Sequence, residues 1–322
     1  MILVTGSNSL VGGKLVKILT DSGEKVRCLD FEKPKNIPHG AEFIQGVNLD
    51  AKTFENSCRD AAAVFHLLDV KSQKHGGRRF MKKINAEYTR SLLQAARAAG
   101  VKKFIFQSSY EVYGRIDDIP SDESAPLTPS TRYGRDKLKA EKFFRQFIED
   151  GGMDVIIFRP SPVVGPGTRN PIALITLLMA LGMEEANRIY VAGNGENRFQ
   201  LLHPDDAASA FMLAYRSGSS KGKIYNLGSD NVPVQIDQVL EIKETAKLDC
   251  VVKHLSPSYA KFLSVFLRPF KIDYLTKGHL IYLLSNLVLD CGAVKRDLGW
   301  RPRYGNVDII LETIRWYREE RL

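Results

Sequence analysis

Tyr133 and Lys137 stand four residues apart in the pentad Tyr133-Gly134-Arg135-Asp136-Lys137, a spacing that sets both side chains on one face of a helix. A phenol ordinarily titrates near ~10. An ammonium within Coulomb reach favours the tyrosinate, so such a pair can exchange a proton with a substrate hydroxyl nearer neutral pH. The same spacing also occurs in amphipathic helices with a solvated Lys and a half-buried Tyr. The pair therefore takes its meaning from what else the chain carries.

The chain opens on an apolar run, Met1-Ile2-Leu3-Val4-Thr5, which leads into Gly6-Ser7-Asn8-Ser9-Leu10-Val11-Gly12-Gly13. Leu15, Val16, Ile18 and Leu19 then recur at helical spacing. This reads as strand, glycine turn and helix, with Gly6 and Gly12 where the backbone turns tightly and approaches a pyrophosphate. The helix-start backbone at Ser9, Leu10 and Val11 faces that anion. A second strand, Lys25-Val26-Arg27-Cys28-Leu29, ends in Asp30, about 20 residues past the turn's last glycine, the interval of an acid that binds an adenosine ribose. An Asp there accepts from a free 2'-hydroxyl and repels a 2'-phosphate. NAD is thus the expected cofactor ahead of NADP, although Lys33 and Lys35 tolerate a phosphate; an Asp that merely caps a turn is the plain alternative. Position 9 usually holds glycine, and Ser9 either takes up room near the cofactor or adds a hydroxyl contact.

The 322 residues, 44% of them apolar, suit a soluble dinucleotide domain with a smaller second region. The net charge of +9 is spread along the chain. Its densest part, Lys71, Lys74, Arg78, Arg79, Lys82 and Lys83, reads as a solvated face that can attract an anionic substrate or headgroups. No motif for DNA or RNA accompanies it. Cys28, Cys58, Cys250 and Cys291 show no metal-ligand spacing and no disulfide framework, so a reducing cytoplasm and no metal are expected. The first residues read as a core strand rather than a secretion signal. Pro171 to Met183 and His279 to Leu289 fall short of the roughly 20 residues that span a bilayer and read as buried helices or pocket walls. Tyr259 to Tyr274 mixes aromatics with basic residues and reads as a mobile lid, or less favourably as a surface lying on a membrane.

Short strands alternate with helical segments through the first half, at Ala63 to Leu68, Lys103 to Gln107 and Val155 to Pro160, with a strong helix at Asn85 to Ala99. That alternation predicts an α/β fold with a doubly wound parallel sheet. Residues 1–165 are expected to form the dinucleotide-binding domain, with 200–230 returning to it. Residues 166–199 and 231–322 are expected to form a smaller substrate-binding α/β region.

Taken together, these segments resemble an extended short-chain dehydrogenase/reductase of the NAD-dependent epimerase/dehydratase type over essentially the whole length. Thr5-Gly6 to Gly12 resembles the cofactor turn, Phe65-His66-Leu67 the fourth strand, Asn85-Ala86-Glu87-Tyr88-Thr89 the helix after it, and Phe106 to Gly114 the strand of the catalytic serine. Leu298-Gly299-Trp300-Arg301-Pro302 resembles the closing motif. The resemblance implies that Ser109 bonds the reacting oxygen, that Tyr133 is the general acid/base, and that Lys137 tunes it and holds the nicotinamide ribose. It also implies that Asn85 supports a proton relay through water. Leu67, Ser108, Pro160 and Val163 fall on cofactor-lining positions, and a homodimer is implied through the helices at 85–99 and 133–148.

Departures from the family pattern concern the substrate. Leu68 and Asp69 stand where alanines are usual, and Val47 where an acid contacts the adenine. Phe199 stands where an arginine grips a diphosphate; Arg198 is a substitute, and Arg169 and Lys277 are further anion candidates. Glu111 falls where related dehydratases and decarboxylases carry a catalytic glutamate, with Tyr110 in place of aspartate. Four readings follow: an oxidoreductase or epimerase of a nucleotide sugar; a 3β-hydroxysteroid dehydrogenase-like enzyme of hydrophobic alcohols or ketones, favoured by Phe199; a dehydratase or decarboxylase using Glu111; and a non-catalytic NAD-binding protein.

Overall fold

The computed structural model describes residues 1–34, 37–46, 50–70, 77–116, 118–150, 152–168, 188–218, 222–256 and 285–321. Lys35, Val47, Lys71, Lys74, Arg169, Lys277, the Pro171 to Met183 stretch and the Tyr259 to Tyr274 segment lie outside them, as do residues 279–284 of the second apolar stretch.

Strand β1 (Ile2–Thr5) begins the chain and helix α1 (Leu10–Asp21) follows it. Next come β2 (Val26–Asp30), β3 (Glu42–Gln45), α2 (Ala51–Cys58) and β4 (Ala63–His66). Helix α3 (Gly77–Lys82) runs through a π-helical turn (Lys83–Tyr88) into α4 (Thr89–Ala98). Strand β5 (Lys103–Gln107), α5 (Arg132–Asp150) and β6 (Asp154–Pro160) complete the first half. In the second half lie β7 (Arg188–Ala192), α6 (Pro204–Arg216), β8 (Ile224–Leu227), α7 (Gln235–Thr245), β9 (Val251–Leu255), α8 (Gly292–Leu298) and α9 (Asn306–Arg321).

Seven strands form one parallel sheet in the order β3-β2-β1-β4-β5-β6-β8. The chain winds outward from β1 in one direction and then, from β4, in the other. That reversal opens a crevice beyond the carboxyl ends of β1 and β4, the place where α/β sheets bind ligands.

Side chains alternate across the sheet. Ile2, Val4, Ile105, Ile156 and Phe158 pack under α1 and α6, with Leu15, Leu19, Ala208, Phe211 and Trp300. Leu3, Phe104, Phe106, Val155 and Ile157 face the other way, against Phe54 of α2, Leu92 and Leu93 of α4, and Phe144 of α5. Burial on both faces explains the nearly continuous apolar runs of these strands. The segment after β7 returns to this sheet: α6 packs on α1, and β8 pairs with β6. Further along, β7 and β9 form a separate parallel pair, packed with Val239 and Ile242 of α7 and Ile310 and Ile314 of α9. Cys291, Val294 and Trp300, in contrast, belong to the core of the main sheet.

Candidate active site

The glycine turn is held by contacts that leave no room for side chains. Gly6 has φ of +72°, and a Cβ there would lie 2.6 Å from the carbonyl carbon of Leu67 and the amide of Leu68. A Cβ on Gly12 would lie 2.1 Å from the Gly6 oxygen. The two glycines therefore press the turn onto the end of β4 and the start of α1 onto the turn.

Ser9 takes ordinary extended dihedrals (φ −75°, ψ 161°) and caps α1. Its hydroxyl donates to the Gly6 carbonyl at 2.6 Å and accepts from the Gly12 amide at 3.1 Å. Of the two outcomes open for a serine here, crowding or contact, the hydroxyl takes neither in this structure, because it turns back on its own backbone. The amides of Leu10 and Val11 precede the first intrahelical bond, from Gly13 to the Ser9 carbonyl, and as helix-start donors they suit a pyrophosphate.

Asp30 is buried at the end of β2, where its carboxylate accepts from the amides of Asn8 and Phe31, both at 2.7 Å. Burial raises its pKa against those two bonds. A carboxylate has about four acceptor positions, so a ribose hydroxyl fits beside the two amides. Beside the turn, a cavity of about 210 Å³ is lined by Asn8, Ser9, Gly13, Val16, Cys28 and Pro38. The cradle, the helix start and the acid together fit a dinucleotide.

Tyr133 and Lys137 lie at the same edge of the sheet. Thr131 caps α5, its hydroxyl accepting from the Gly134 amide at 3.0 Å, and the first turns of that helix carry Tyr133 and Lys137. The Lys137 ammonium, 1% exposed, donates to the Gln107 carbonyl at 2.8 Å and lies 5.0 Å from the Phe106 ring centroid. It also lies 3.4 Å from the Asp69 carboxylate. The Tyr133 hydroxyl donates to the same Asp69 oxygen.

Lys137 was expected to draw the phenol's pKa downward. In this structure it stands well above its ordinary value, because burial and then the Asp69 carboxylate favour the protonated phenol, with smaller contributions from Glu111 and Tyr110. Asp69, from the loop after β4, is the site residue whose place spacing alone does not give.

The remaining candidates divide by where their side chains go. Ser109 is extended (φ −160°, ψ 150°) at the exit of β5, and its hydroxyl accepts from the Glu111 amide at 3.2 Å. Ser108 faces the opposite way and donates to Glu141 at 2.5 Å, so its hydroxyl serves the core rather than the crevice. Asn85 is buried in the π-helical turn; its amide accepts from the Val70 N–H and donates to the Val70 carbonyl, both at 2.8 Å. That geometry fixes the loop after β4. Leu67 forms the wall against Gly6. Pro160 ends β6, and Val163 bridges to Leu202 just beyond it. Glu111 is buried and accepts from the Thr131 hydroxyl, which ties it to the cap of α5.

Beyond the crevice, the exposed Arg198 donates to the Val232 carbonyl, and Phe199 packs in the cluster of Leu287 and Leu289. Among the described residues, no group of three or more His, Cys, Asp or Glu could hold a metal, and no helix is long and apolar enough to cross a membrane.

Residues 2–228 match the model of the NAD dependent epimerase/dehydratase family. The dTDP-D-glucose 4,6-dehydratase of Mus musculus is 26% identical over 340 residues, covering 99% of this chain and 88% of the mouse protein. A solved dTDP-glucose 4,6-dehydratase of Streptomyces venezuelae, with NAD and TYD bound, is 25% identical with a TM-score of 0.77, covering 99% of this chain and 97% of the other. A UDP-glucose 4-epimerase of Thermotoga maritima with UDP-glucose superposes with a TM-score of 0.79 at 24% identity, over 100% of this chain and 99% of the other.

Proposed function

This chain belongs to the NAD dependent epimerase/dehydratase family, and from that membership we propose that it oxidises and reduces a secondary alcohol of a nucleotide sugar. It is an NAD-dependent enzyme. The carrying observation is that Tyr133 and Lys137 meet the loop after β4 at the edge of the sheet that also holds Gly6 and Asp30. Similarity to dTDP-sugar dehydratases and UDP-sugar epimerases over nearly the whole chain supports the substrate class.

NAD, when bound, accepts and returns a hydride. The chain's own residues manage the oxygen. Tyr133 exchanges the proton of the substrate hydroxyl, and Ser109 offers a hydrogen bond to that oxygen as charge develops on it. Lys137, its charge met by the Gln107 carbonyl and Asp69, lies 5.5 Å from the Tyr133 ring centroid and would hold the nicotinamide ribose. Gly6, Gly12, Leu10, Val11, Asp30, Leu67, Pro160 and Val163 form the cofactor's bed.

Dehydration is a second reading. Glu111, buried and two residues beyond Ser109, lies where a carboxylate could abstract a proton beside a transient ketone, and the likeness to dTDP-glucose 4,6-dehydratases favours it. We propose, further, a cytoplasmic homodimer through α4 and α5. Arg90 and Arg97 of α4 lie over Phe143 and Phe147 of α5, at 5.3 and 5.2 Å from the ring centroids, which leaves half-buried aromatics on that outer face; sedimentation at several concentrations tests it.

Incubating the purified protein with UDP- and dTDP-hexoses, and following products by NMR and NADH by absorbance, tests the main reading. A new epimer or keto sugar is expected, and loss of water distinguishes dehydration. Turnover of hydrophobic ketones with every sugar nucleotide left unchanged would overturn it.

A further inference from the structure

The acid–base pair contains a third group that the Tyr-x-x-x-Lys pattern does not include. One oxygen of Asp69 accepts the Tyr133 hydroxyl proton and lies 3.4 Å from the Lys137 ammonium. We propose that Asp69 is a positioning residue of the catalytic site, holding the Tyr133 phenol in its protonated, donating form and balancing the charge of Lys137. This rests on the reading of Tyr133 as the proton-exchanging group and adds to it which form that group rests in.

Three features of the chain put the carboxylate there. The apolar strand β4 ends at His66, and the backbone of Leu67 and Leu68 is pinned beneath Gly6. Asn85, presented by a π-helical turn, then clamps both backbone groups of Val70. Asp69 is thereby fixed between two anchored neighbours, so its position does not depend on its own side chain alone. A π-turn inserted in a helix often marks a functional site, and here its product is the seat of Asp69.

The charges around the pair favour one outcome. Tyr133 meets Asp69 from the loop after β4, Glu111 and Tyr110 from the turn after β5, and Lys137 from its own helix. His66, on β4, stays neutral between the hydroxyls of Thr5 and Thr89. A buried Tyr–Lys pair alone carries a net positive charge, which favours the tyrosinate; with Asp69 included the group is neutral and the phenol keeps its proton. The resting phenol holds its one proton against the Asp69 oxygen, so giving it to a carbonyl requires the hydroxyl to turn from the carboxylate, and taking one from an alcohol requires the phenol first to lose its own.

The test is a spectrophotometric tyrosinate titration of the purified protein as isolated, in which Tyr133→Phe isolates the contribution of position 133 from the other eleven tyrosines of the chain's 12. In the wild-type background, Tyr133 is expected to add no tyrosinate below the ordinary range near ~10. In the Asp69→Ala and Asp69→Asn backgrounds its ionisation is expected at least about one pH unit lower than in the wild-type protein, since Lys137 then faces the phenol without a carboxylate. Asp69→Asn preserves shape should the alanine variant fail to fold. The pH profile of NAD reduction moves the same way. Ionisation of Tyr133 below its ordinary range in the wild-type protein, or an unchanged titration in either variant, overturns the proposal. Because the titration needs no substrate, its result is independent of whether a nucleotide sugar is turned over.

Discussion

Gly134 lies directly on the carbonyl of Glu111, so close that a Cβ on residue 134 would stand 2.3 Å from that oxygen and 2.9 Å from its carbon. This contact lets the first turn of α5 press against the turn after β5, and it brings Tyr133 to the loop after β4. A methyl group at 134 must lift the helix start. Gly134→Ala is therefore expected to cost about 1–3 kcal/mol of stability through overpacking and to lower kcat by roughly a hundredfold through misplacement of the phenol. Tm and steady-state kinetics check it; unchanged kcat would mean that the seat of Tyr133 tolerates a wider gap than this contact implies.

Gly12 makes the corresponding contact in the cofactor cradle, its missing Cβ leaving the approach to the Gly6 carbonyl open. Adding a methyl at 2.1 Å from that oxygen must part α1 from the turn, and the amides of Leu10 and Val11 move with the helix. Gly12→Ala is expected to weaken NAD binding by at least about tenfold, or ~1.4 kcal/mol. Calorimetric titration of NAD into the variant measures the loss directly.

The arrangement of β1, the glycine turn, α1 and Asp30 was legible because each carries a local signature: an apolar run, glycines at fixed spacing, a helical period and a strand-ending acid. Tyr133 and Lys137 were legible for the same reason, since four residues of helix fix their relation. Asp69 was visible only as a departure, because its partnership with Tyr133 spans 64 residues and depends on how β4 and α5 are placed by packing. Ser108 and Ser109 show a subtler limit. Adjacent strand residues point to opposite faces, but which one meets the crevice was decided by Glu141 and Arg159, which meet only in three dimensions. Asn85 was found by resemblance, while its bonds to Val70 came from the π-helical turn, which has no clear sequence signal.

Behind Ser108, Arg159 and Glu141 form a fork-on-fork pair, Nε to Oε1 at 3.1 Å and Nη2 to Oε2 at 2.7 Å, with both side chains fully buried. Arg159 also donates to the Tyr113 hydroxyl at 2.9 Å, and Tyr113 donates to Asn226 of β8 at 2.7 Å. The network joins α5, β6 and β8 behind Ser108. Glu141→Ala strands a guanidinium in the core and is expected to cost about 3–5 kcal/mol, read from the midpoint of urea unfolding. A loss below ~1 kcal/mol would mean that water or another acid reaches Arg159.

His66 gives the fold a pH dependence of known sign. Its ring bonds the Thr5 hydroxyl at 2.6 Å and the Thr89 hydroxyl at 2.8 Å. Burial, then the nearby Lys137, pushes its pKa down to about 3, whereas in the unfolded chain it returns to ~6.5. Between those values the unfolded chain binds a proton that the native protein refuses, so the stability His66 contributes is full above the unfolded value and is lost as pH falls toward the folded one. The slope from one such group is at most about 1.4 kcal/mol per pH unit. Urea unfolding at intervals from about pH 7 down to about pH 5 is expected to show this loss in the wild-type protein. His66→Asn, which has no titrating ring, starts from lower stability but loses less of it across the same interval. Parallel curves for the two proteins would mean that His66 accepts its proton in the native state and that the two hydroxyls and Lys137 do not hold it neutral.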